Sequence, residues 1–85
     1  MRGRVTEGLV NAVIGKNIKS IRNDKNLNRT DIGRILGVSY QQIQKYENGK
    51  NRISASNLFL LSQSLHIPIE DFFIGIAVHF EGKNT

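Results

Sequence analysis

Four side chains between Tyr40 and Lys45 have the chemistry to read the edge of a nucleic-acid base. Tyr40, Gln41, Gln44 and Lys45 are long and polar, and on a helix they fall on one outer face. Glutamine at 41 can pair bidentately with adenine, and lysine at 45 can donate to guanine O6 or N7. Tyr40 suits a thymine methyl group or a phosphate. The stretch that follows, Glu47-Asn48-Gly49-Lys50-Asn51-Arg52, is polar and basic and offers cations and backbone amides to phosphates. An ordinary solvated helix would show the same polar face, so what separates the two readings is the framework beneath it.

That framework is a pair of short helices between Arg29 and Asn48. Ile32 and Leu36 lie four apart on the first, Ile43 and Tyr46 three apart on the second, so each pair shares one face. Val38 can fill the corner between them, and Gly33 is small where the second helix must come close. Gly37 supplies the positive φ that ends the first helix sharply. Ser39 and Gln42 have the form of a capping box that restarts the chain as a helix, and Asn28 with Asp31 begins the first helix similarly. Gln42 is assigned to the cap rather than to a base.

These residues resemble the helix-turn-helix of phage-repressor-like regulators, the xenobiotic-response-element family. Ile32, Gly33, Leu36, Gly37, Val38, Ile43 and Tyr46 match its residue types and spacing. So do Glu47-Asn48-Gly49-Lys50, Ser54, Leu58, Leu61 and Leu65. The wording from Tyr40 to Phe73 is similar to small stand-alone alphaproteobacterial members. The resemblance implies an all-α, lambda-repressor-like domain with a recognition helix at about Ser39 to Asn48 lying in the major groove of double-stranded DNA. It implies base contacts from Tyr40, Gln41, Gln44 and Lys45, and phosphate contacts from Arg29, Ser39, Asn48, Lys50, Asn51 and Arg52. Arg29 departs from the family, which commonly has glutamine there. Arginine can anchor a phosphate instead, and a glutamine–glutamine brace of the recognition helix is lost.

The remaining chain supplies a core. Val10, Ile14, Ile18 and Ile21 form a helical stripe, with Lys16, Lys19, Arg22 and Lys25 read as the solvated opposite face. Lys16 and Arg22 are also within the range of phosphate-binding residue types. Residues 1–12 read as a flexible arm that turns helical near Leu9, and whose Arg2 and Arg4 would touch DNA or stay loose. Gly49 ends the recognition helix, Glu47 is expected to pair with a cation or accept loop hydrogen bonds, and Ile53 tucks beneath the loop. Ser54 or Ser56 caps a helix carrying Leu58, Leu61 and Leu65, ending near His66. Pro68 opens a last short helix with Glu70 and Asp71 in its first turn, and Phe72 and Phe73 close the core. Ile74, Ile76, Val78 and Phe80 alternate with other residues, a period-two pattern that predicts a strand.

The chain has 85 residues and 12 Lys and Arg against 7 acids, a formal net charge of +5. One domain fits this length, and the charge favours an anionic partner such as nucleic acid; a charge of this size on a small domain is also compatible with solubility alone. Without cysteine there is no disulfide or thiolate site, and no catalytic or nucleotide-binding motif is present. No cofactor, metal or membrane association is therefore expected. The expected architecture is five helices over residues 13–73 with a short C-terminal strand or tail, 74–85, on which a homodimer would form. The expected function is sequence-specific DNA binding by a cytoplasmic transcriptional regulator. An antitoxin or other protein-interaction module with a protein partner is the alternative.

Overall fold

The computed structural model describes residues 5–76. Four α-helices follow in order: α1 (Glu7–Asp24), α2 (Arg29–Leu36), α3 (Tyr40–Glu47) and α4 (Ala55–Leu65). A five-residue 3-10 helix, Ile69–Phe73, comes next. Each α-helix begins on a side-chain oxygen that accepts from a backbone amide three residues on: Thr6, Asn28, Ser39 and Ser54. These caps satisfy amides that the first turn leaves without a partner. At Asn28 the box is reciprocal, since the Asn28 amide also donates to Asp31 Oδ2 at 2.9 Å.

The ends are equally local. The chain leaves α1, α2, α3 and α4 through a left-handed residue: Asn26, Gly37, Gly49 and His66. After each, an amide reaches back five residues to a helix carbonyl. The pairs are Leu27 to Arg22, Val38 to Gly33, Lys50 to Lys45, and Ile67 to Ser62. This is the Schellman arrangement, which satisfies carbonyls at the end of a helix.

Helix α1 packs on α3 and on the 3-10 helix, α2 packs on α3 and α4, and α4 packs on the 3-10 helix. Phe72, Ile32, Ile43 and Leu61 lie at the centre with almost no exposure. Ile14, Ile18, Ile53, Leu58 and Leu65 surround them, and Val10, Ile21, Leu27 and Val38 pack against this cluster.

Four expectations change. Phe73, expected to close the core with Phe72, is exposed, and of the two only Phe72 is buried. The helix count is four plus a 3-10 helix, because Pro68 opens a segment too short for an α-helix; the Asp71 amide donates to the Pro68 carbonyl, a three-residue reach. The helix α1 starts at Glu7, inside the stretch read as an arm, because Thr6 caps it; Arg2 and Arg4 lie outside the described residues. Finally, no strand occurs among the described residues. The Asn17 side-chain amide donates to the carbonyls of Phe72 at 2.8 Å and Ile74 at 2.9 Å. Gly75 then turns at φ 104°, and Ile76 is buried while Ile74 is exposed. Ile74 itself is extended, at φ −60° and ψ 130°, but a strand needs its carbonyls for a neighbouring strand and an extended backbone that continues; here Asn17 takes the carbonyls and Gly75 turns the chain. Val78 and Phe80 lie outside the described residues.

Candidate nucleic-acid interface

The helix α3 is divided by burial. Ile43, Tyr46 and Glu47 are buried, whereas Tyr40, Gln41, Gln44 and Lys45 are exposed. The four residues picked for base-edge chemistry thus stand together on the outer side of one short helix. Gln42 is half-buried, and its amide donates to Ser39 Oγ at 3.2 Å. The return bond that would complete a capping box, from the Ser39 amide to the Gln42 side-chain oxygen, is absent, so only half of that motif forms.

Two glycines let the backbones meet. A Cβ on Gly33 would lie 2.5 Å from the Val38 carbonyl oxygen. The close approach is therefore to the turn rather than to the body of the second helix. A Cβ on Gly15 would overlap the Tyr46 carbonyl oxygen outright and lie 2.7 Å from that of Glu47. Gly15 sits on the α1 stripe and was not singled out by any sequence pattern. Its role appears only when α1 crosses the end of α3.

Beneath α3 lies an ion triad. Arg22 Nε donates to Glu47 Oε2 at 2.7 Å and its Nη2 to Oε1 at 3.3 Å. Arg22 Nη1 also donates to the Leu27 carbonyl at 3.0 Å. Arg29 Nε donates to Glu47 Oε1 at 3.0 Å. The Glu47 side chain has no exposure at all. A buried carboxylate is tolerable only when its lone pairs are met by charged donors, and three N–H groups meet this one. The triad ties α1, the start of α2 and the last turn of α3 into one unit. The expectation that Glu47 pairs with a cation holds. The reading of Arg22 as part of a solvated basic face does not. Arg22 continues the four-residue spacing of Ile14 and Ile18, which places it on the buried stripe, and that spacing together with the acid beside Tyr46 was the available signal.

The expected phosphate set falls into two groups. Lys50, Asn51 and Asn48 are exposed beside the end of α3, and Ser39 is exposed at its start. Arg29 and Arg52 are engaged within the chain, Arg29 with Glu47 and Arg52 with Glu7 Oε2 at 2.6 Å. The Arg52 pair is exposed on both sides, so its ions stay hydrated and its strength is small. The loop amides are not free, contrary to expectation. Those of Asn48, Gly49, Lys50 and Asn51 donate to the carbonyls of Gln44, Tyr46, Lys45 and Lys45. The turn that Gly49 makes possible uses them to finish α3, so the loop offers side chains to an anion rather than amides.

His66 ends α4 in a left-handed conformation, φ 56°. Among the described residues, no three His, Cys, Asp or Glu side chains converge in a way that could hold a metal ion. No helix among them is long and apolar enough to cross a membrane.

Two short helices joined by a tight turn, with the second buried on one side and polar on the other, define a helix-turn-helix domain. The chain belongs to the helix-turn-helix family HTH_3, which it matches over residues 18–72. It is 45% identical over 64 residues to the "uncharacterized transcriptional regulator in ATPase CF(0) region" of Rhodospirillum rubrum, covering 75% of this chain and 59% of that protein. Antitoxin PezA of Streptococcus pneumoniae is 34% identical over 59 residues, covering 69% of this chain and 37% of PezA. Among solved structures, the restriction-modification controller protein C.AhdI from Aeromonas hydrophila superposes with a TM-score of 0.67 at 21% identity. It covers 73% of this chain and 94% of C.AhdI. That likeness is one of fold. The chain spans less than two thirds of the length of the Rhodospirillum relative.

Proposed function

We propose that this chain is a transcriptional regulator that binds double-stranded DNA sequence-specifically, with α3 in the major groove. The supporting observation is the division of α3: its inner side is locked by Ile43, Tyr46 and Glu47, while Tyr40, Gln41, Gln44 and Lys45 stand exposed together. A rigid helix with polar side chains on its open side is what reading base edges requires. Ser39, Asn48, Lys50 and Asn51 flank that side and hold phosphates, joined by Arg29 and Arg52. The chain works in the cytoplasm, where the chromosome is, and the reading assigns it no catalysis.

The regulator binds as a homodimer, because one short helix covers too few base pairs for specificity in a genome. Among the described residues no strand is available for pairing. Phe59 and Leu60 on α4 and Ile69, Phe73 and Ile74 just after it are large, apolar and exposed, and exposed apolar surface of this kind supports association. A second reading, an antitoxin with a protein partner, is supported by the likeness to PezA and by the same exposed side chains. A protein that co-purifies from the native cell distinguishes it.

Selection of bound sites from random duplex DNA tests the main reading, and enrichment of two half-sites about 10 base pairs apart, or a multiple, is expected. Recovery of no enriched sequence refutes it. Lys50→Ala should weaken binding to all sequences alike and flatten the salt dependence of log K by about 0.9 per lost phosphate contact. An altered consensus with an unchanged salt slope would remove Lys50 from the phosphate set.

A further inference from the structure

The triad beneath α3 is not electrically balanced. Two guanidiniums, Arg22 and Arg29, share the single carboxylate of Glu47, so the cluster carries a net charge of +1 (+2 from the arginines, −1 from the glutamate). The two arginines differ in how they are held. The Arg22 side chain is 10% exposed and uses Nε, Nη1 and Nη2 within the chain. The Arg29 side chain is 33% exposed and uses only Nε. Among the described residues its terminal nitrogens donate to no acceptor, and no buried side-chain nitrogen lacks a partner. Both therefore reach solvent. The surplus charge resides on the outer edge of Arg29, at the first residue of α2, while its inner nitrogen holds the last residue of α3.

From this asymmetry we infer that Arg29 is a shared guanidinium: its outer edge takes a DNA phosphate while its Nε keeps hold of Glu47, so that a backbone contact fixes the orientation of the recognition helix. Guanidinium suits this double task because its donors lie in a rigid plane and point in different directions, whereas an ammonium is a single point charge. The phosphate completes the charge that Glu47 leaves unmatched. Arg29 is thus a positioning residue. It reads no base, yet it sets the angle from which Gln41 and Lys45 meet theirs. Lys50, with no bond to α3 beyond the backbone, contributes charge without orientation.

The inference rests on the DNA-binding reading, and the following comparison separates the two. The full chain and its Arg29→Gln and Arg29→Lys variants are titrated with the selected DNA site across salt concentration, and then with sites carrying single base changes at the positions read by α3. Arg29→Gln should lower the salt slope by about 0.9 and reduce discrimination against the altered sites by about threefold or more, the scale of coupling through packed networks. Arg29→Lys should restore the slope and leave discrimination impaired. An unchanged slope in Arg29→Gln shows a purely internal brace and overturns the phosphate contact. Full recovery of discrimination by lysine shows a simple charge and overturns the coupling. A signal from the unaltered chain covers the case of variants that fold poorly. The Arg29 Nε–H resonance should persist when duplex DNA is added, with hindered signals appearing from the terminal nitrogens. Its loss on DNA binding overturns the inference even if the chain binds DNA well. A wild-type chain with no affinity for any duplex removes the parent reading, and this one with it.

Discussion

Replacing Gly15 by alanine adds one methyl group where α1 crosses the end of α3. The methyl carbon would overlap the Tyr46 carbonyl oxygen and lie 2.7 Å from the Glu47 carbonyl oxygen and 2.9 Å from the Glu47 carbonyl carbon. Carbons pack best at about 3.5–4.0 Å, so at Glu47 alone the helices must part by roughly 0.6 Å, and by more at Tyr46. None of these atoms can swing aside, because all belong to the backbone. Alanine favours the helix itself by about 0.5–1 kcal/mol over glycine, which opposes the effect. Overpacking of a well-filled contact costs about 1–3 kcal/mol. The displacement also pulls Glu47 away from Arg22, a buried pair 2.7 Å apart, and complete loss of a partner there would cost about 3–5 kcal/mol. Overpacking less the helix gain leaves about 0–2.5 kcal/mol, and stretching of the pair without breaking it brings the net loss to about 1–3 kcal/mol. For a domain of this size each kcal/mol moves Tm by roughly 4–8 °C, so Tm should fall by about 5–20 °C in a melt followed by circular dichroism. Lys16→Ala, one residue along and exposed, should stay within about 0.5 kcal/mol of wild type. A Gly15→Ala chain as stable as wild type would show that α1 and α3 do not meet at this point.

Ile43→Ala removes a side chain with no exposure and should cost about 2–5 kcal/mol in denaturant titrations; a loss under 1 kcal/mol would mean that α3 is not seated as described. Gln41→Ala and Lys45→Ala should melt like wild type and each lose about 1–3 kcal/mol of discrimination at one position of the site, and an unchanged consensus in both variants would refute the assignment of the reading face. His66→Gly relieves a left-handed backbone that costs a non-glycine residue roughly 1–2 kcal/mol, offset by about 0.5–1 kcal/mol of added freedom in the unfolded chain. The expected rise in Tm is a few degrees, and a fall would show that the imidazole stabilises the end of α4 by more than its backbone strain.

The local features of the domain are legible in the sequence. Asn28 and Ser39 as caps, Gly37 and Gly49 as left-handed turns, the burial of Ile32 and Ile43, and the outward set Tyr40, Gln41, Gln44 and Lys45 each follow from residues within one or two helical turns, and the α4 cap is narrowed to Ser54 or Ser56. Capping and helical periodicity act over three or four positions, so a short stretch contains all that decides them. Among the described residues, the start of the expected C-terminal strand, 74–76, is not a strand: alternation of apolar residues describes a preference, while Asn17, 55 and 57 residues away along the chain, holds the Phe72 and Ile74 carbonyls. Gly15 is the same case: its lack of a side chain matters only because the Tyr46 and Glu47 carbonyls pass over it.

Charge shows the division most clearly. From the sequence, Arg22 and Arg29 are two of 12 basic residues and Glu47 one of 7 acids, and any of them could face water. Net charge and the polar face of α3 were open to view, and both point to an anionic partner. Which cations are available to that partner was decided by tertiary structure. Folding carries Arg22 across 25 residues of sequence and Arg29 across 18 to one carboxylate that water does not reach. Burial raises the cost of an unmatched charge, so this pairing selects the positions of α1, α2 and α3 together, a condition that exists only once all three helices are in place.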